Sequence, residues 1–228
     1  DLRMSRGLGD VYKRQVLYVT VLGFLGALII ALLLAIGRVS KNKVLNRILV
    51  LFIEFIRGTP LLVQFFYIYY VVPMLIDGLA AVFGAETNVQ ISATLSGIIG
   101  FSINYGCYMS EVIRSAILAV DPGQREAGLA LGFSETQVLF KFIIPPAIRN
   151  SIPVFGNYLV MMIKDTSLLA MISVQELLLR AKTFASQTFL TVEAYTIVAV
   201  VYLLLSVPLS RLSVALESHL KRARMKRK

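Results

Sequence analysis

The chain has 228 residues, of which 57 % are hydrophobic and 16 % charged, with a mean hydropathy of +0.76. This composition excludes an ordinary soluble domain and indicates a protein whose main solvent is lipid. The formal net charge of +10 does not indicate nucleic-acid binding, because the basic residues lie between apolar stretches and at the end of the chain. The single cysteine, Cys107, excludes an internal disulfide and a cysteine-rich metal site.

The first fifteen residues are polar and basic, and they do not begin with methionine. They lack the short apolar core and the small-residue cleavage site of a signal peptide. We expect 1–15 to be a non-native or truncated segment, followed by a transmembrane domain over 16–220 and a basic cytoplasmic tail over 221–228. The single histidine, His219, lies beside this tail and is expected to be solvated.

Five apolar stretches reach about the 20 residues that a helix needs to cross a bilayer, and none alternates like a membrane barrel strand. These stretches cover about Val16–Gly37, Ile48–Val72, Ile91–Ile113, Ile148–Ile172 and Ala194–Leu212. The second is interrupted near its start by Arg57, Gly58 and Pro60, which predict a structural kink with Arg57 at the membrane interface. The sequence therefore predicts an all-α membrane protein with about five transmembrane helices.

The distribution of basic residues predicts the orientation of these helices. Sixteen Lys and Arg residues lie in 38–57, 114–149 and 211–228, whereas the connections on the other side hold two. Because short cytoplasmic connections are enriched in Lys and Arg, we expect an external N-terminus and a cytoplasmic C-terminus. The four basic residues within 1–15 would then lie outside, which is a second reason to regard that segment as non-native.

The polar segment 121–146, between the third and fourth predicted spans, carries the signals of two short helices. Asp121 can cap a helix whose first position is Pro122, and Gly132 can end that helix in a left-handed conformation. An amphipathic connector lying on the membrane surface is an equally good interpretation of this segment from its residues alone.

The second short helix is indicated by a capping-box pattern, Ser134 followed by Gln137. We expect Pro145 and Pro146 to stop it, since proline lacks the N–H that helix continuation requires. The segment then reads as a helix, a tight glycine turn and a second helix on the cytoplasmic face.

Polar side chains inside the third span are candidates for the translocation path. Asn104 and Tyr105 could bind a substrate's amino or carboxylate group, or form a helix-to-helix hydrogen bond. Glu111 could face the path, pair with Arg114 three residues later, or leave Arg114 to reach the headgroups.

The fourth span contains Lys164 and Asp165 about fifteen residues from its cytoplasmic end. Adjacent residues of a helix point to different faces, so this pair cannot simply neutralise itself. At least one of the two should face another helix or the aqueous path, with substrate contact, helix packing and a gate as the alternatives.

The polar segment resembles the EAA loop of ABC-importer permeases. The residues that carry the resemblance are Glu126, Ala127, Gly128, Gly132 and Pro145. The spacing matches throughout, and the departures are Gly128 for alanine, Phe142 for isoleucine and Ile144 for leucine. Three further segments, 57–64, 108–117 and 164–169, resemble the polar amino-acid permeases of the histidine and glutamine type, so that the likeness covers about 16–220.

The resemblance implies a permease subunit of an ATP-driven ABC importer in the bacterial cytoplasmic (inner) membrane, with a coupling-helix loop between helices 3 and 4. Its implied partners are a cytoplasmic ABC ATPase dimer docked on that loop, a second identical or related permease subunit, an extracytoplasmic binding protein and the transported amino acid. ATP would be bound by the ATPase, and the chain itself is expected to bind no cofactor or metal and to catalyse nothing.

Two other functions compete with this interpretation. A self-sufficient secondary amino-acid transporter would also need helices with buried polar groups, although the internal repeats common in that class are not evident. An intramembrane enzyme would need a catalytic constellation, and the sequence has no His-Glu-x-x-His or Gly-x-Ser-x-Gly motif.

Overall fold

Helices are the regular secondary structure of the part of the chain that the structure describes, and short turns and loops connect them. The computed structural model describes the backbone of residues 2–225 and the side chains of residues 14–215 and 218. The α-helices, in chain order, are α1 (Leu2–Val39), α2 (Lys43–Gly58), α3 (Leu61–Phe66), α4 (Val72–Val82), α5 (Ala93–Leu118), α6 (Pro122–Ala130), α7 (Glu135–Val138), α8 (Ile144–Asp165), α9 (Leu177–Thr188) and α10 (Thr191–Met225). The side chains of His219 and of the basic tail lie outside the described residues, as does the backbone of 226–228.

Four stretches of helix in the described residues are long and apolar enough to cross a membrane. They are Arg14–Val39, Leu61–Val82, Glu135–Ile172 and Thr191–Ala215. The first, third and fourth contain the predicted first, fourth and fifth spans, which are confirmed. We call the end of the bundle that carries α6 and α7 the loop end, and the opposite end the far end.

Helix α5 holds most of the predicted third span and is not one of these four stretches, but it is the central helix and packs alongside α1. It runs antiparallel to α1: Gln15 Nε2 lies 3.0 Å from Thr94 Oγ1 near the far end, and Arg38 Nη1 lies 2.7 Å from Glu111 Oε1 near the loop end. A Cβ on Gly26 would come within 2.2 Å of a side-chain oxygen of α5, so only glycine allows this approach. Half of α5 is buried by neighbouring helices, which explains how it tolerates more polar residues than a helix facing lipid.

The second span differs from its predicted bounds, Ile48–Val72. The chain is already helical from Lys43, breaks at Thr59–Pro60 and continues as helix to Val82. Its far part does not end at Pro73, because the π-helical turn Tyr67–Val71 shifts the backbone so that Val72 N–H bonds Tyr67 C=O. Pro73 then occupies the first turn of α4, where a missing N–H costs little.

A second π-helical turn overturns the expectation that Pro145 and Pro146 stop the second short helix. The turn Leu139–Ile143 follows α7 directly, and Ile144 N–H bonds Leu139 C=O. The two prolines fall in the first turn of α8, so the helical path continues without a break from Glu135 to Asp165. From the sequence, a proline is expected to end a helix. After the wider π-helical turn, however, both prolines occupy the first turn of a new helix, where a missing N–H costs little.

The helix that contains α8 changes from an α-helix to a 3-10 helix where it reaches the far part of the bundle. After Asp165 the chain tightens into the 3-10 segment Thr166–Ile172, which ends at Ser173 in a left-handed conformation, φ 63°. Helix α9 then packs on α10, which returns toward the loop end. The predicted fourth span is therefore an α-helix as far as Asp165 and a 3-10 helix beyond it.

Candidate functional site

The loop that joins α5 to α8 has the local structure that its residues predict. Asp121 Oδ1 accepts from Gly123 N–H and Pro122 opens α6. Gly132 follows the helix with φ +82°, a conformation that costs a residue with a Cβ roughly 1–2 kcal/mol. Ser134 and Gln137 form both hydrogen bonds of a capping box at the start of α7. The predicted helix, glycine turn and helix are confirmed.

The motif residues of this loop divide between its surface and its interior. Glu126, Ala127, Gly132 and Pro145 are exposed, whereas Gly128 is buried. A Cβ on Gly128 would lie 2.9 Å from a methyl of Val138, so the glycine lets α6 lie close against α7. Leu131, at the end of α6, is 75 % exposed and adds an apolar side chain to the exposed surface of that helix. It was not identified from the sequence.

Exposed ion pairs connect the loop to the turn between α1 and α2. The Glu135 carboxylate accepts from Arg125 Nη2 at 2.7 and 2.8 Å and from Lys41 Nζ at 3.0 Å. These side chains are about half exposed or more, and surface pairs of this kind contribute little stability. Their effect is to align α6 with the loop end of α1.

Glu111 lies at the loop end and not on the cavity described below. Its two carboxylate oxygens bind Arg38 Nη1 of α1 at 2.7 Å and Arg114 Nε at 2.9 Å. Of the alternatives open from the sequence, the structure thus shows the pairing with Arg114, extended by a second arginine from another helix. The cluster fixes α1 to α5.

The break at Thr59–Pro60 opens a cavity midway between the two ends of the bundle. Its volume is about 430 Å³, and it lies between α2, α3, α5 and α8. The lining residues are Arg57, Gly58, Thr59, Pro60, Leu61, Asn104, Tyr105, Tyr108, Tyr158, Met161 and Asp165. Three of the five residues that the sequence proposed for the path, Asn104, Tyr105 and Asp165, are brought together there.

A row of tyrosines joins the two charged residues of this cavity. The Arg57 guanidinium lies 5.0 Å from the ring centre of Tyr108, a cation–π distance. The Tyr108 and Tyr158 centroids are 6.4 Å apart, and those of Tyr158 and Tyr105 are 6.0 Å apart. At the other end, Tyr105 O–H donates to Asp165 Oδ2 at 2.6 Å. No ion pair joins Arg57 to Asp165 among the described side chains.

Gln64 holds the break open. Its amide nitrogen donates to Ile56 C=O at 2.7 Å, to Thr59 C=O at 3.1 Å and to Thr59 Oγ1 at 2.8 Å. Pro60 has no N–H to offer Ile56, so Gln64 replaces the missing helix hydrogen bond. Gln64 Oε1 in turn accepts from Asn104 Nδ2 at 3.1 Å, which makes Asn104 a helix-to-helix contact as well as a lining residue.

Arg57, Lys164 and Gln64 differ in how they relate to the cavity. Arg57 lines the cavity and is exposed, and its predicted place at the membrane interface stays a prediction. Lys164 is exposed and does not line the cavity, whereas its neighbour Asp165 does. Gln64 was not recognised individually, although an amide four residues after a proline in a span is a usable signal, since a freed carbonyl needs a donor.

A second buried polar cluster supports the 3-10 segment that follows Asp165. Glu176 is 1 % exposed, caps α9 by accepting from Leu179 N–H at 2.7 Å and accepts from Tyr202 O–H at 3.1 Å. The Tyr202 oxygen also lies 3.3 Å from Thr166 Oγ1, at the first residue of the 3-10 segment. Burial raises the pKa of the Glu176 carboxyl above its ordinary value. The cluster ties α9 and α10 to the cavity's far side.

Residues 27–222 match the family model of binding-protein-dependent transport system inner membrane components. The chain belongs to this family. The match includes both the loop and the cavity, and it confirms the resemblance to ABC-importer permeases that the motifs indicate.

Individual relatives of this inner membrane component are similar over most of its length. The glutamine transport system permease protein GlnP of Escherichia coli K12 is 36 % identical over 208 residues, which are 91 % of this chain and 90 % of the relative. The L-cystine transport system permease protein TcyB of Bacillus subtilis is 40 % identical over 168 residues, 74 % of this chain and 67 % of the relative.

A solved amino acid ABC transporter with histidines superposes with a TM-score of 0.78 at 31 % identity, covering 96 % of both chains. The MetNI methionine ABC transporter, at 15 % identity and a TM-score of 0.64, shares the fold.

Proposed function

We propose that this chain is the permease subunit of an ATP-driven importer of polar amino acids. The observation that carries the proposal is the cavity midway through the bundle, with a cation and a carboxylate that are not paired with each other. Arg57 is exposed and contacts the ring of Tyr108, and Asp165 accepts from Tyr105, so both have neutral neighbours but neither has an ion-pair partner in the cavity. Relatives whose names specify glutamine and cystine transport support an amino acid as the missing partner.

The cavity suits the two charged groups that every free amino acid carries. Arg57 can donate two parallel hydrogen bonds to the α-carboxylate, and Asp165 can accept from the α-ammonium group. The hydroxyl of Tyr105 already orients the Asp165 carboxylate, and the tyrosine row supplies a wall against which the rest of the substrate can pack. Charge-assisted bonds of this kind in a site of low dielectric give recognition without covalent chemistry.

The loop couples this cavity to an ATPase. We expect the exposed surface of α6, with Glu126, Ala127 and Leu131, to dock in a groove of a cytoplasmic ABC ATPase. The helical path from Glu135 to Asp165 is unbroken, so a push on the loop moves α8 along its length and displaces Asp165 relative to Arg57. This displacement would switch the cavity between inward-facing and outward-facing states.

The assembly that this function requires has four kinds of member besides the lipid. Two permease subunits, identical or related, each present a loop to one ATPase of a dimer, and an extracytoplasmic binding protein delivers the amino acid. ATP belongs to the ATPases, since the 228 residues contain no G-x-x-x-x-G-K-[ST] phosphate loop. The excess of basic residues at the loop end supports a cytoplasmic loop, a cytoplasmic C-terminus and an external N-terminus in the inner membrane.

Uptake of labelled amino acids into proteoliposomes tests the proposal. The chain is reconstituted with its ATPase and binding protein, and Arg57→Met and Asp165→Asn are each expected to reduce ATP-dependent uptake about 10–100-fold, the range for a lost charge-assisted bond. Lys164→Met is the matched control, since it changes the adjacent charge outside the cavity and should retain uptake.

Loss of uptake in Lys164→Met with normal assembly would place Lys164 in the path. Uptake that required neither ATP nor the partner proteins would contradict the proposal and favour a self-sufficient secondary transporter.

A further inference from the structure

The charged residues of the cavity are balanced. Among the residues that line it, Arg57 is the one cation and Asp165 the one carboxylate, and the other polar groups are phenols, an amide and a hydroxyl. The adjacent Lys164 is exposed and does not contribute to the lining. The ionic cluster of Glu111 with Arg38 and Arg114 lies at the loop end, where its charges bind each other.

We propose that the cavity selects amino acids with an uncharged side chain, so that substrate and cavity each have zero net charge. This inference rests on the proposed function and adds the substrate class. A zwitterion satisfies Arg57 and Asp165 together and leaves no charge over. A lysine, arginine, glutamate or aspartate would bring one further charge into a space with no opposite charge to receive it.

The excess charge would be penalised because the cavity, although open on one side, is lined by residues of the membrane-spanning stretches Leu61–Val82 and Glu135–Ile172, which are surrounded by hydrocarbon. Removing an ion from water without a partner is far more expensive than removing a neutral polar group. The penalty does not depend on the direction in which the substrate lies, because it is set by the sum of charges and not by the end of the tyrosine row that each group occupies.

The neutral groups of the lining fit an uncharged polar side chain. The hydroxyls of Tyr108 and Tyr158 and the amide of Asn104 can donate or accept hydrogen bonds with a carboxamide or a hydroxyl. Met161 and Leu61 provide apolar contact for the methylene groups. Such groups distinguish a neutral side chain from an ionised one by what they lack, which is a full opposite charge.

Direct binding to the purified permease–ATPase complex in nanodiscs, without the binding protein, tests this selectivity at the cavity itself. Labelled glutamine, asparagine and serine are compared with lysine, arginine, glutamate and aspartate. We expect the neutral group to bind at least about tenfold more tightly than the charged group. Binding of arginine or glutamate as tight as that of glutamine would overturn the inference.

A charge added to the cavity should change the selectivity in a defined direction. Met161 is 47 % exposed, lines the cavity and lies four residues before Asp165 on the same face of α8. Met161→Glu places a second carboxylate there and is expected to improve lysine and arginine binding about tenfold relative to glutamine. Met161→Gln, of the same shape as the glutamate variant without its charge, is the matched control: it alters the same contact surface, but it should shift the ratio far less than Met161→Glu does.

Failure of the proposed function would give a different result from failure of the selectivity. If Asp165→Asn leaves the binding of every amino acid unchanged, the cavity is not the substrate site and the proposed function is contradicted at that point. If Asp165→Asn abolishes binding but charged and neutral amino acids had bound equally well, the site stands and the selectivity is wrong. An unchanged ratio in Met161→Glu would also overturn the selectivity.

Discussion

The cavity and the α6–α7 loop are both held by polar contacts, but burial makes them very different. In the cavity, Gln64 and Asn104 bond across helices far apart in sequence, and Asn104 is 6 % exposed. In the loop, Glu135 binds Arg125 and Lys41 at comparable distances in side chains that are about half exposed or more. Water can replace the loop contacts at little cost, whereas a buried carbonyl or amide has no substitute partner.

The loop and the cavity owe their shapes to different kinds of contact. The loop is shaped by residues close in sequence, a proline, a glycine and two caps, and its ion pairs only align it. The cavity is shaped by a defect, the missing hydrogen bond at Pro60, which tertiary contacts keep from closing. Substitutions should therefore have large effects in the cavity when they remove hydrogen bonds, and in the loop when they change the backbone.

The largest effect is expected for Gln64→Leu. This change removes the shortest hydrogen bond to Ile56 C=O and the acceptor for Asn104 Nδ2. The carbonyl keeps longer bonds from Thr59 N–H at 3.4 Å and Thr59 Oγ1 at 3.2 Å, so the buried amide of Asn104 is the group that loses its partner. We expect a loss of about 1–3 kcal/mol in the free energy of unfolding and a loss of substrate binding as the break collapses. Thermal unfolding of the purified complex and amino-acid binding measure the two effects.

Gln124→Leu is the control, because Gln124 is an exposed glutamine of α6. It should change neither quantity. A Gln64→Leu variant as stable as the parent chain, with the same substrate affinity, would show that the break does not depend on this side chain.

Gly132→Ala should have the next largest effect, and it separates backbone strain from position. Gly132 and Gly84 have φ of +82° and +76°, and a Cβ on either would meet no atom within 4 Å. Alanine at each position is therefore expected to cost a similar amount, roughly 1–2 kcal/mol. Only Gly132→Ala should reduce the substrate-stimulated ATPase activity of the assembled transporter.

Equal losses of coupling in Gly132→Ala and Gly84→Ala would mean that general destabilisation is responsible. The conclusion would then be that the glycine turn of the loop has no specific part in coupling.

A smaller effect, dependent on pH, is expected from Glu176. Because burial raises the pKa of this carboxyl, the folded state favours its protonated form, and this stabilisation is complete below the ordinary glutamate pKa and is lost as pH rises through the raised value. Protonation of Glu176 is also compatible with the hydrogen bonds of Tyr202. The Thr166 hydroxyl donates to Ile163 C=O, so it can only accept from Tyr202. An ionised Glu176 accepts the tyrosine proton, whereas a protonated Glu176 donates to the tyrosine oxygen and allows Tyr202 to donate to Thr166.

Unfolding temperatures of the parent chain and of Glu176→Gln, measured from about pH 4 to about pH 8, test this linkage. The parent chain should lose stability toward high pH, and the variant, which has no titrating group at this position, should lose less. Parallel curves for the two proteins would contradict the assigned role.

The smallest effect is expected for Glu135→Gln. Its ion pairs with Arg125 and Lys41 are exposed and screened by salt, so the unfolding temperature should hardly change. Any effect on ATPase coupling should appear at low ionic strength and disappear at high ionic strength. A large destabilisation at all salt concentrations would show that the loop depends on these pairs more than their exposure indicates.

Local patterns predicted the parts of the fold that depend on local physics. The apolar stretches near Val16 and Ala194 predicted spans because a bilayer requires long apolar helices. Asp121 and Gly132 predicted the ends of α6 because caps and left-handed glycines act within a few residues. The predicted end of the second span at Val72 and the predicted stop at Pro145 were both wrong, because Pro73 and Pro145 each follow a π-helical turn for which the sequence carries no clear signal.

The sequence by itself determined that the chain is a bundle of membrane helices with a two-helix loop, since hydropathy, caps and motif spacing are properties of neighbouring residues. Only the tertiary structure decided which polar side chains share a space. Arg57 lines the same cavity as Asp165, whereas Glu111 pairs with Arg38 and Lys164 does not line the cavity. The physical reason is that the rotation of a helix, and the response of a chain to proline, depend on which distant groups can satisfy the backbone and side chains that would otherwise be left unpaired.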